Sequence, residues 1–576
     1  MSKSSSKSSR TSAPLLLVIA AFSAVAYGTA LNMPFIGDDY VFLDEIRGSG
    51  FLNLWPFAHT YAGWYRPWSR EFHFWLLHGV AGFHTSAYRA LGIALWLAAL
   101  GLFAAIVRRL ATPRIAIIAT VGAAGMALWG TPLLWISGSQ DLWMLVLSMA
   151  SLYLVMVGRV GLALLAFGLA LLSKETAAVL PGLVLAYYVL IERDRLAVAL
   201  RRAAMFWGLL AVWLFIHPTL HSRLMSGGPV TRELELRPSV PVIFARTVLA
   251  PLNLDMIPRP AEVSAAIVLR VVVSALILAG GLALLLHRER GVSGARSNAP
   301  PKVAVTRFAI AWMALGWFPL FMPSIGWHAY YGCLGALGMW LALALWLETH
   351  GSLAVGIVAC MGLLRGAQAS TPSLDWGNES YQRRAGNMLS AIRRDIMRDH
   401  PRLPHHSRIF LGHIPNNIGL IAGQSPALRV WYADSTLRAG YYSSYRPRAR
   451  DESPGLDFFF RFDTLQGMVE VKVGEENVAQ SQLLDPSWED DHEKLAMTLL
   501  RAGDTQRAAG EFEKLSALPR RADAAAYAGI CWEVIGDSAR ADSLISAAQA
   551  RLGYSSDRMQ EWVAGLRASF PGRNGH

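Results

Sequence analysis

The feature that most constrains this chain is a succession of apolar runs between Ala13 and Arg365, joined by short polar segments. Runs of about 20 residues match the hydrocarbon thickness of a bilayer when coiled as helices. In lipid every backbone N–H and C=O must find a partner inside the protein, and a single run achieves that only as a helix. Candidate spans fall at roughly 13–31, 87–107, 115–134, 140–158, 160–173, 175–191, 203–217, 263–287, 308–322, 329–347 and 352–367, about eleven in all and two of them short. The chain is therefore expected to be mainly α, with a polytopic helical membrane domain over 1–367. Composition agrees, since 53% of the 576 residues are hydrophobic and 16% charged, against about a quarter charged in soluble domains.

The formal net charge is +12, a balance that can mark nucleic-acid binding. Here the basic residues sit in short joints between apolar runs, with no basic helix interleaved with aromatics, so nucleic acid is not an expected partner. Arg108, Arg109 and Arg114 share one joint and Arg159 lies in a second. Arg193, Arg195, Arg201 and Arg202 fall in a third, and Arg288, Arg290, Arg296 and Lys302 in a fourth. Short loops rich in Lys and Arg stay on the cytoplasmic side. With the N-terminus inside, where Lys3, Lys7 and Arg10 also lie, all four joints come out cytoplasmic. The first run continues past the small-residue site Ala24-Val25-Ala26, so it reads as an uncleaved span rather than a signal peptide. The outer side then receives the loops at about 32–86 and 218–262 and everything after about Leu364. The expectation is a multi-pass protein with the bilayer as one partner and an extracytoplasmic tail, in a bacterial inner membrane or facing the lumen of the endoplasmic reticulum. Segment 66–83, aromatic-rich with scattered polar groups, reads as an interfacial amphipathic helix. Cys333, Cys360 and Cys531 form no disulfide or CxxC pattern and read as buried small hydrophobes.

The tail divides in two. Over 368–484 a helical stretch from Tyr381 to His400 is followed by strand-like runs such as Arg408-Ile409-Phe410-Leu411, which predicts a small α/β region. Over 485–570 the sequence turns Ala-rich with helical periodicity. Ala502-Gly503-Asp504-Thr505 and Ile535-Gly536-Asp537-Ser538 are 33 residues apart, with Ala508 answering Ala541 and Phe512 answering Ile545. That period resembles tetratricopeptide repeats, which offer a surface for a protein partner; the alternative is an unrelated bundle of helical hairpins.

Ionisable groups at or just above membrane depth are costly and mark sites. Asp38, Asp39, Arg66, Arg70, Asp141, Lys174, Glu175 and His328 all fall beside span ends, and the charge-derived topology gathers them at the outer face. A carboxylate held there can act as general base for a hydroxyl, although Asp38 and Asp39 equally suit a helix N-terminus. His400, His405, His406 and His413 lack metal-ligand spacing. No GKS/T phosphate loop, GxGxxG or GxSxG pattern occurs, so nucleotide-driven transport and serine hydrolysis lack support. Asn378-Glu379-Ser380 is a glycosylation sequon.

Phe35-x-x-Asp38-Asp39-x-x-Phe42 resembles the first-loop acidic motif of class C glycosyltransferases, the multi-spanning enzymes that use polyprenyl-phosphate sugars. The acidic motif matches the form it takes in the protein O-mannosyltransferases, with Asp for Glu at the second acidic position, and Tyr65-Arg66-Pro67 and Leu172-Ser173-Lys174-Glu175-Thr176 are similar to motifs of the transmembrane and tetratricopeptide-repeat O-mannosyltransferases. His328-Ala329-Tyr330-Tyr331 stands where that group tends to carry an Arg-Tyr-Leu-Tyr type segment, and 370–480 has no counterpart there. The resemblance implies a class C membrane fold and inverting transfer of one sugar, a hexose such as mannose, from a polyprenyl phosphate to a hydroxyl on a protein or glycan acceptor. It implies Asp38 as general base and Asp39 as its positioning partner. Arg66 and Lys174 would hold the donor phosphate, with Tyr65, Glu175, His328 and Tyr331 in support. No cofactor is expected; a divalent metal at the acidic pair is the alternative. The rival functions are a polymerase or ligase of lipid-diphosphate-linked glycans and a non-catalytic transporter or scaffold.

Overall fold

The computed structural model describes residues 12–47, 65–217, 239–255, 265–289, 300–321, 327–371, 377–412, 414, 425–442, 445, 448, 452–463, 465–471, 486–501, 503–518 and 521–569. Lys3, Lys7, Arg10, Arg290, Arg296, His413 and much of the two long outer loops lie outside them. The chain forms two compact units, Met1–Leu389 and Ser390–His576. The division falls inside a single helix, Glu379–Asp399, and the sheet and the C-terminal helices belong to the second unit.

The first unit is helical. In chain order it contains α1 (Ser12–Tyr27), α2 (Asp38–Ile46), a π-helical turn (Trp68–Phe72), α3 (His73–Ala81), α4 (Thr85–Leu110), α5 (Pro113–Ala124), α6 (Gly130–Leu134), α7 (Ser139–Met156), α8 (Val160–Leu171), α9 (Leu180–Leu190) and α10 (Leu196–Ile216). These are followed by α11 (Val240–Leu249), α12 (Ala265–Glu289), α13 (Lys302–Trp317), α14 (Cys333–Leu347), α15 (Gly351–Ser370) and the start of α16 (Glu379–Asp399). Among the described residues eight helices are long and apolar enough to cross a membrane, and a ninth span forms if the bent pair Pro113–Ala124 and Ala127–Leu134 counts as one. The count expected from sequence was about eleven. The difference lies at 160–173 and 175–191, which fold as α8 and as Glu175–Leu190, helices shorter than a span.

The bend between Pro113–Ala124 and Ala127–Leu134 is 53°, and its cause is identifiable. Buried Asn253, in a left-handed conformation, accepts a hydrogen bond from Ala127 N (2.7 Å) and donates to Gly125 O and Met361 O (2.9 Å each). One side chain thus satisfies two backbone groups at the break and ties them to Met361 on α15. Elsewhere helices approach through glycines. A Cβ on Gly316 would lie 2.5 Å from Gly335 Cα, and one on Gly338 2.6 Å from Met313 N, so α13 and α14 touch backbone to backbone.

Helix ends sort to two sides of this unit. Thr112 and Lys302 both bond Glu348 (2.9 and 3.3 Å), and Arg109 donates to Met156 O (3.2 Å), which puts the Arg108–Arg114 joint beside the start of α13 and the joint between α14 and α15. At the opposite end Arg89 on α4 donates to Met33 O (2.6 Å), Pro34 O (2.6 Å) and Leu134 O (3.2 Å). Segment 66–83 does not behave as an interfacial helix with its polar side in water. Ser69, Arg70, Glu71 and His73 are all buried, so its polar side turns into the protein. Cys360 differs from its expected burial and is exposed, whereas Cys333 and Cys531 are buried.

Among the described residues of the second unit four strands, β1 (Arg408–Gly412), β2 (Arg438–Tyr441), β3 (Asp457–Asp463) and β4 (Gly467–Glu470), form a sheet of order β2-β1-β3-β4. β1 runs parallel to both neighbours, with Phe410 opposite Gly440 and Phe459, and β3–β4 is antiparallel. A short helix, α17 (Pro426–Tyr432), connects β1 to β2. Among the described residues five helices follow: α18 (Pro486–Arg501), α19 (Thr505–Ser516), α20 (Ala522–Ile535), α21 (Ser538–Leu552) and α22 (Ser556–Ser569). The two Gly-Asp turns are built alike. Gly503 and Gly536 have φ of +79° and +98°, and Asp504 and Asp537 cap the next helices by accepting from Arg507 N and Arg540 N. Ala508, Phe512 and Ala541 are buried.

Candidate functional site

The site is organised by the turn that enters α7. Ile136–Gly138 forms a 3-10 turn after the bent pair, and Ser139, Gln140 and Asp141 make the first turn of α7. Three sequence-distant segments attach to these few residues.

The first is Phe35–Phe42. Gly37, with φ of 64°, reverses the chain in the left-handed region and lets α2 begin at Asp38. The two carboxylates then occupy the first helical turn, where the helix dipole favours negative charge. They point differently. Asp39 is fully buried and accepts from Ile36 N (2.9 Å), Ser137 N (2.7 Å) and Ser137 Oγ (2.5 Å), so both of its oxygens are engaged. Burial pushes its carboxyl up to about 6, an effect the Ser137 and Ile36 hydrogen bonds only partly offset. Asp38, next to it, is half-buried. Arg89 holds the preceding carbonyls of Met33 and Pro34, fixing the approach to this turn.

The second and third segments are Tyr65-Arg66-Pro67 and Ser173-Lys174-Glu175, and their backbones are stitched together. Trp68 N donates to Leu172 O (3.1 Å) and Ser69 Oγ to Ser173 O (2.7 Å). Lys174 is extended (φ −163°, ψ 143°) between α8 and the 3-10 turn Glu175–Val179. An extended residue sends its own side chain and the next one to opposite sides. Glu175 accordingly grips Arg66, with Nε donating at 3.0 and 3.1 Å and Nη2 at 2.6 Å, while Arg66 Nη1 donates to Gln140 Oε1 (2.6 Å). Lys174 turns the other way and reaches both oxygens of Asp141 (2.6 and 2.7 Å). Burial disfavours the Arg66 guanidinium's charge, but the Glu175 fork outweighs it and holds the group above its usual value. The Lys174–Asp141 pair is deep, at 6% and 5% exposure, and the Arg66–Glu175 pair lies nearer the surface, at 17% and 13%.

The His328–Tyr331 segment closes over Lys174, whose Nζ lies 4.2 Å from the Tyr331 ring centroid and 5.3 Å from that of Tyr330. His328 stacks on Tyr330 (6.0 Å) and meets Tyr331 edge-on (5.5 Å). Thus Asp39, Arg66, Lys174, Glu175, His328 and Tyr331 belong to one connected cluster, and Asp38 shares the first turn of α2 with Asp39. Tyr65 is buried but turned aside, its ring edge-on to His217 at the end of α10 (6.2 Å).

Sequence reasoning did not single out Ser137, Gln140 or Arg89. Gln140 and Arg89 carried a legible signal, since each is a polar residue at the edge of an apolar run. Nearby His73 accepts from Trp143 Nε1 at Nδ1 (3.1 Å), and burial pushes it down to about 3, which keeps the ring neutral. Among the described residues no three His, Cys, Asp or Glu side chains converge as a metal site. His400 and His405 instead pair separately with Glu470 (3.0 Å) and Asp434 (2.8 Å). In the sequon Ser380 is buried. No family model matches the chain, and neither does any curated protein or solved structure.

Proposed function

We propose that the protein is an inverting glycosyltransferase that moves a single sugar, a hexose such as mannose, from a polyprenyl phosphate to an acceptor hydroxyl. The observation that supports this reading most is the convergence of the acidic turn, the Arg66 segment and the Lys174-Glu175 segment on the first turn of α7. These are the segments that resemble class C motifs, and the fold joins residues 109 positions apart to do it.

In the proposed reaction Asp38 accepts the proton of the acceptor hydroxyl. The acceptor oxygen bonds to the anomeric carbon as the bond from that carbon to the phosphate oxygen breaks, and the electron pair leaves with the polyprenyl phosphate. Arg66 suits the leaving phosphate as a permanent positive charge that Glu175 and Gln140 hold in a fixed orientation. Lys174, pinned by Asp141 and the two tyrosines, adds a point charge behind it. Asp39 has no exposed surface and acts by locking the turn that presents Asp38. The reaction is proposed without a metal, on the strength of the resemblance. The same reading places the basic joints in the cytoplasm and the site outside, and takes the C-terminal helix pairs as tetratricopeptide-like repeats that bind the acceptor or a partner.

The test is incubation of the purified full chain with labelled polyprenyl-phosphate sugars, scoring transfer of label to a hydroxyl acceptor. Asp38→Asn keeps the side-chain size but cannot take the proton, so turnover should fall by about 10²–10⁴-fold with donor binding intact. Near-normal turnover in that variant would remove Asp38 as the base.

A further inference from the structure

A second polar site lies apart from the α7 cluster, where α1, α12, α15 and the start of α16 meet. Helices α12 and α15 cross closely there because Gly362 and Gly366, four residues apart on one face of α15, present no side chain. A Cβ on Gly362 would sit 2.8 Å from Ala275 Cα, and one on Gly366 2.8 Å from Val271 Cβ. Beside this crossing is a cavity of about 210 Å³, lined by Arg270, Arg365, Arg383, Arg384, Glu379 and Ser380 among others. Its volume is several times the roughly 30 Å³ of a water molecule.

Among the described residues lining this cavity, guanidiniums outnumber carboxylates. Glu379 is clamped between Arg365 Nη2 (2.8 Å) and Arg383, whose Nε and Nη2 donate at 3.0 and 2.7 Å. Arg365 and Glu379 are 4% and 6% exposed, so one buried carboxylate faces two guanidiniums. Arg270 and Arg384, both exposed, add two more positive charges at the mouth. Arg270 has no ion-pair partner among the described residues. Guanidiniums gathered around one opening raise the local positive potential and attract an anion. Ser380 Oγ is buried against the cavity with no hydrogen-bond partner, a donor without an acceptor. The lining is therefore built for oxygens that carry negative charge, which arginine recognises as phosphate.

The surroundings say where such a group comes from. The helices that form the cavity carry exposed apolar side chains, with Leu269 and Leu276 on α12 each 64% exposed and Leu17 on α1 68% exposed. An anion entering here brings an apolar chain along these helices, as basic pockets between membrane helices accept lipid head groups. We infer that this cavity binds the phosphate of an anionic membrane lipid, with Arg365 and Ser380 at its floor and Arg270 and Arg384 at its rim. This assignment stands independently of the glycosyl-transfer reading.

The experiment uses full-length protein, purified in neutral detergent and stripped of lipid. It is titrated with phosphatidylglycerol, phosphatidylcholine or inorganic phosphate, with bound lipid counted by native mass spectrometry and the thermal midpoint followed in parallel. Phosphatidylglycerol is expected to bind and raise the midpoint, and phosphatidylcholine to bind at least about tenfold more weakly. Arg270→Gln with Arg384→Gln changes only exposed side chains and should lower phosphatidylglycerol affinity about 100-fold, roughly tenfold for each guanidinium removed. Ser380→Ala gives a second, smaller drop in affinity in a fully folded protein. Inorganic phosphate that stabilised as well as the lipid at equal concentration would overturn the lipid assignment in favour of a free anion. Wild-type lipid affinity in the double variant would overturn the cavity as the site.

Discussion

Replacing Lys174 with Met separates the structural role of the deep ion pair from its chemical one. In the native protein Nζ makes two charge-assisted hydrogen bonds to Asp141, at 2.6 and 2.7 Å, with the partners 6% and 5% exposed. Each such bond contributes about 1.5–3 kcal/mol, and removing one partner of a buried pair costs about 3–5 kcal/mol because the other charge is stranded. Lys174→Met should therefore destabilise the first unit by about 3–5 kcal/mol, measured as the loss of native structure of the detergent-solubilised full chain across a denaturant titration. Adding Asp141→Leu removes the stranded carboxylate, and replacing a buried pair by apolar side chains is close to neutral. The double variant should regain most of the stability while remaining inactive in the proposed sugar transfer, which would lose its cation behind the phosphate. A loss below about 1 kcal/mol in Lys174→Met would show that Asp141 is not stranded, against the burial argument. Recovery of transfer along with stability in the double variant would reduce the pair to a structural fastener.

Other expectations follow from the same geometry. The Asp39 carboxyl titrates near 6 in the folded state because of burial, above its unfolded value of about 3.9, so the native state binds the proton more tightly. Stability should accordingly be highest below about pH 4 for this group and fall as pH rises toward 6, and a pH series of thermal midpoints should lose that slope in Asp39→Asn. An unchanged slope would assign the titration elsewhere. Gly316→Ala forces a methyl against the backbone of Gly335, where no rotamer change relieves it, and should cost at least about 1–3 kcal/mol in the same denaturant assay. Reporter fusions after residue 290 and after residue 480 are expected on opposite sides of the membrane; both on one side would break the proposed orientation.

The sequence by itself determined the helical membrane character, the positions of most apolar helices and the turns of the C-terminal pairs. Hydropathy, basic joints and Gly-Asp caps are properties of a segment read alone, and a segment carries them wherever it packs. It also named most residues of the α7 cluster, because polar groups at the edge of an apolar run are conspicuous. What it could not decide was partnership. Lys174 and Glu175 are neighbours that look like an ion pair with each other, yet an extended backbone sends one to Asp141 and the other to Arg66. Asp38 and Asp39 are identical neighbours, and only the packing of α2 against the Ile136–Gly138 turn buries one and leaves the other half-open. The break after α5 depends on Asn253, 126 residues away in sequence from the Ala127 amide it accepts from, and the Arg365 cavity on two glycines meeting α12. Charges and frayed backbone groups inside a membrane protein must be satisfied by whichever helix end arrives beside them. Which end arrives is set by how helices pack against one another, a property of pairs of helices that no single run contains.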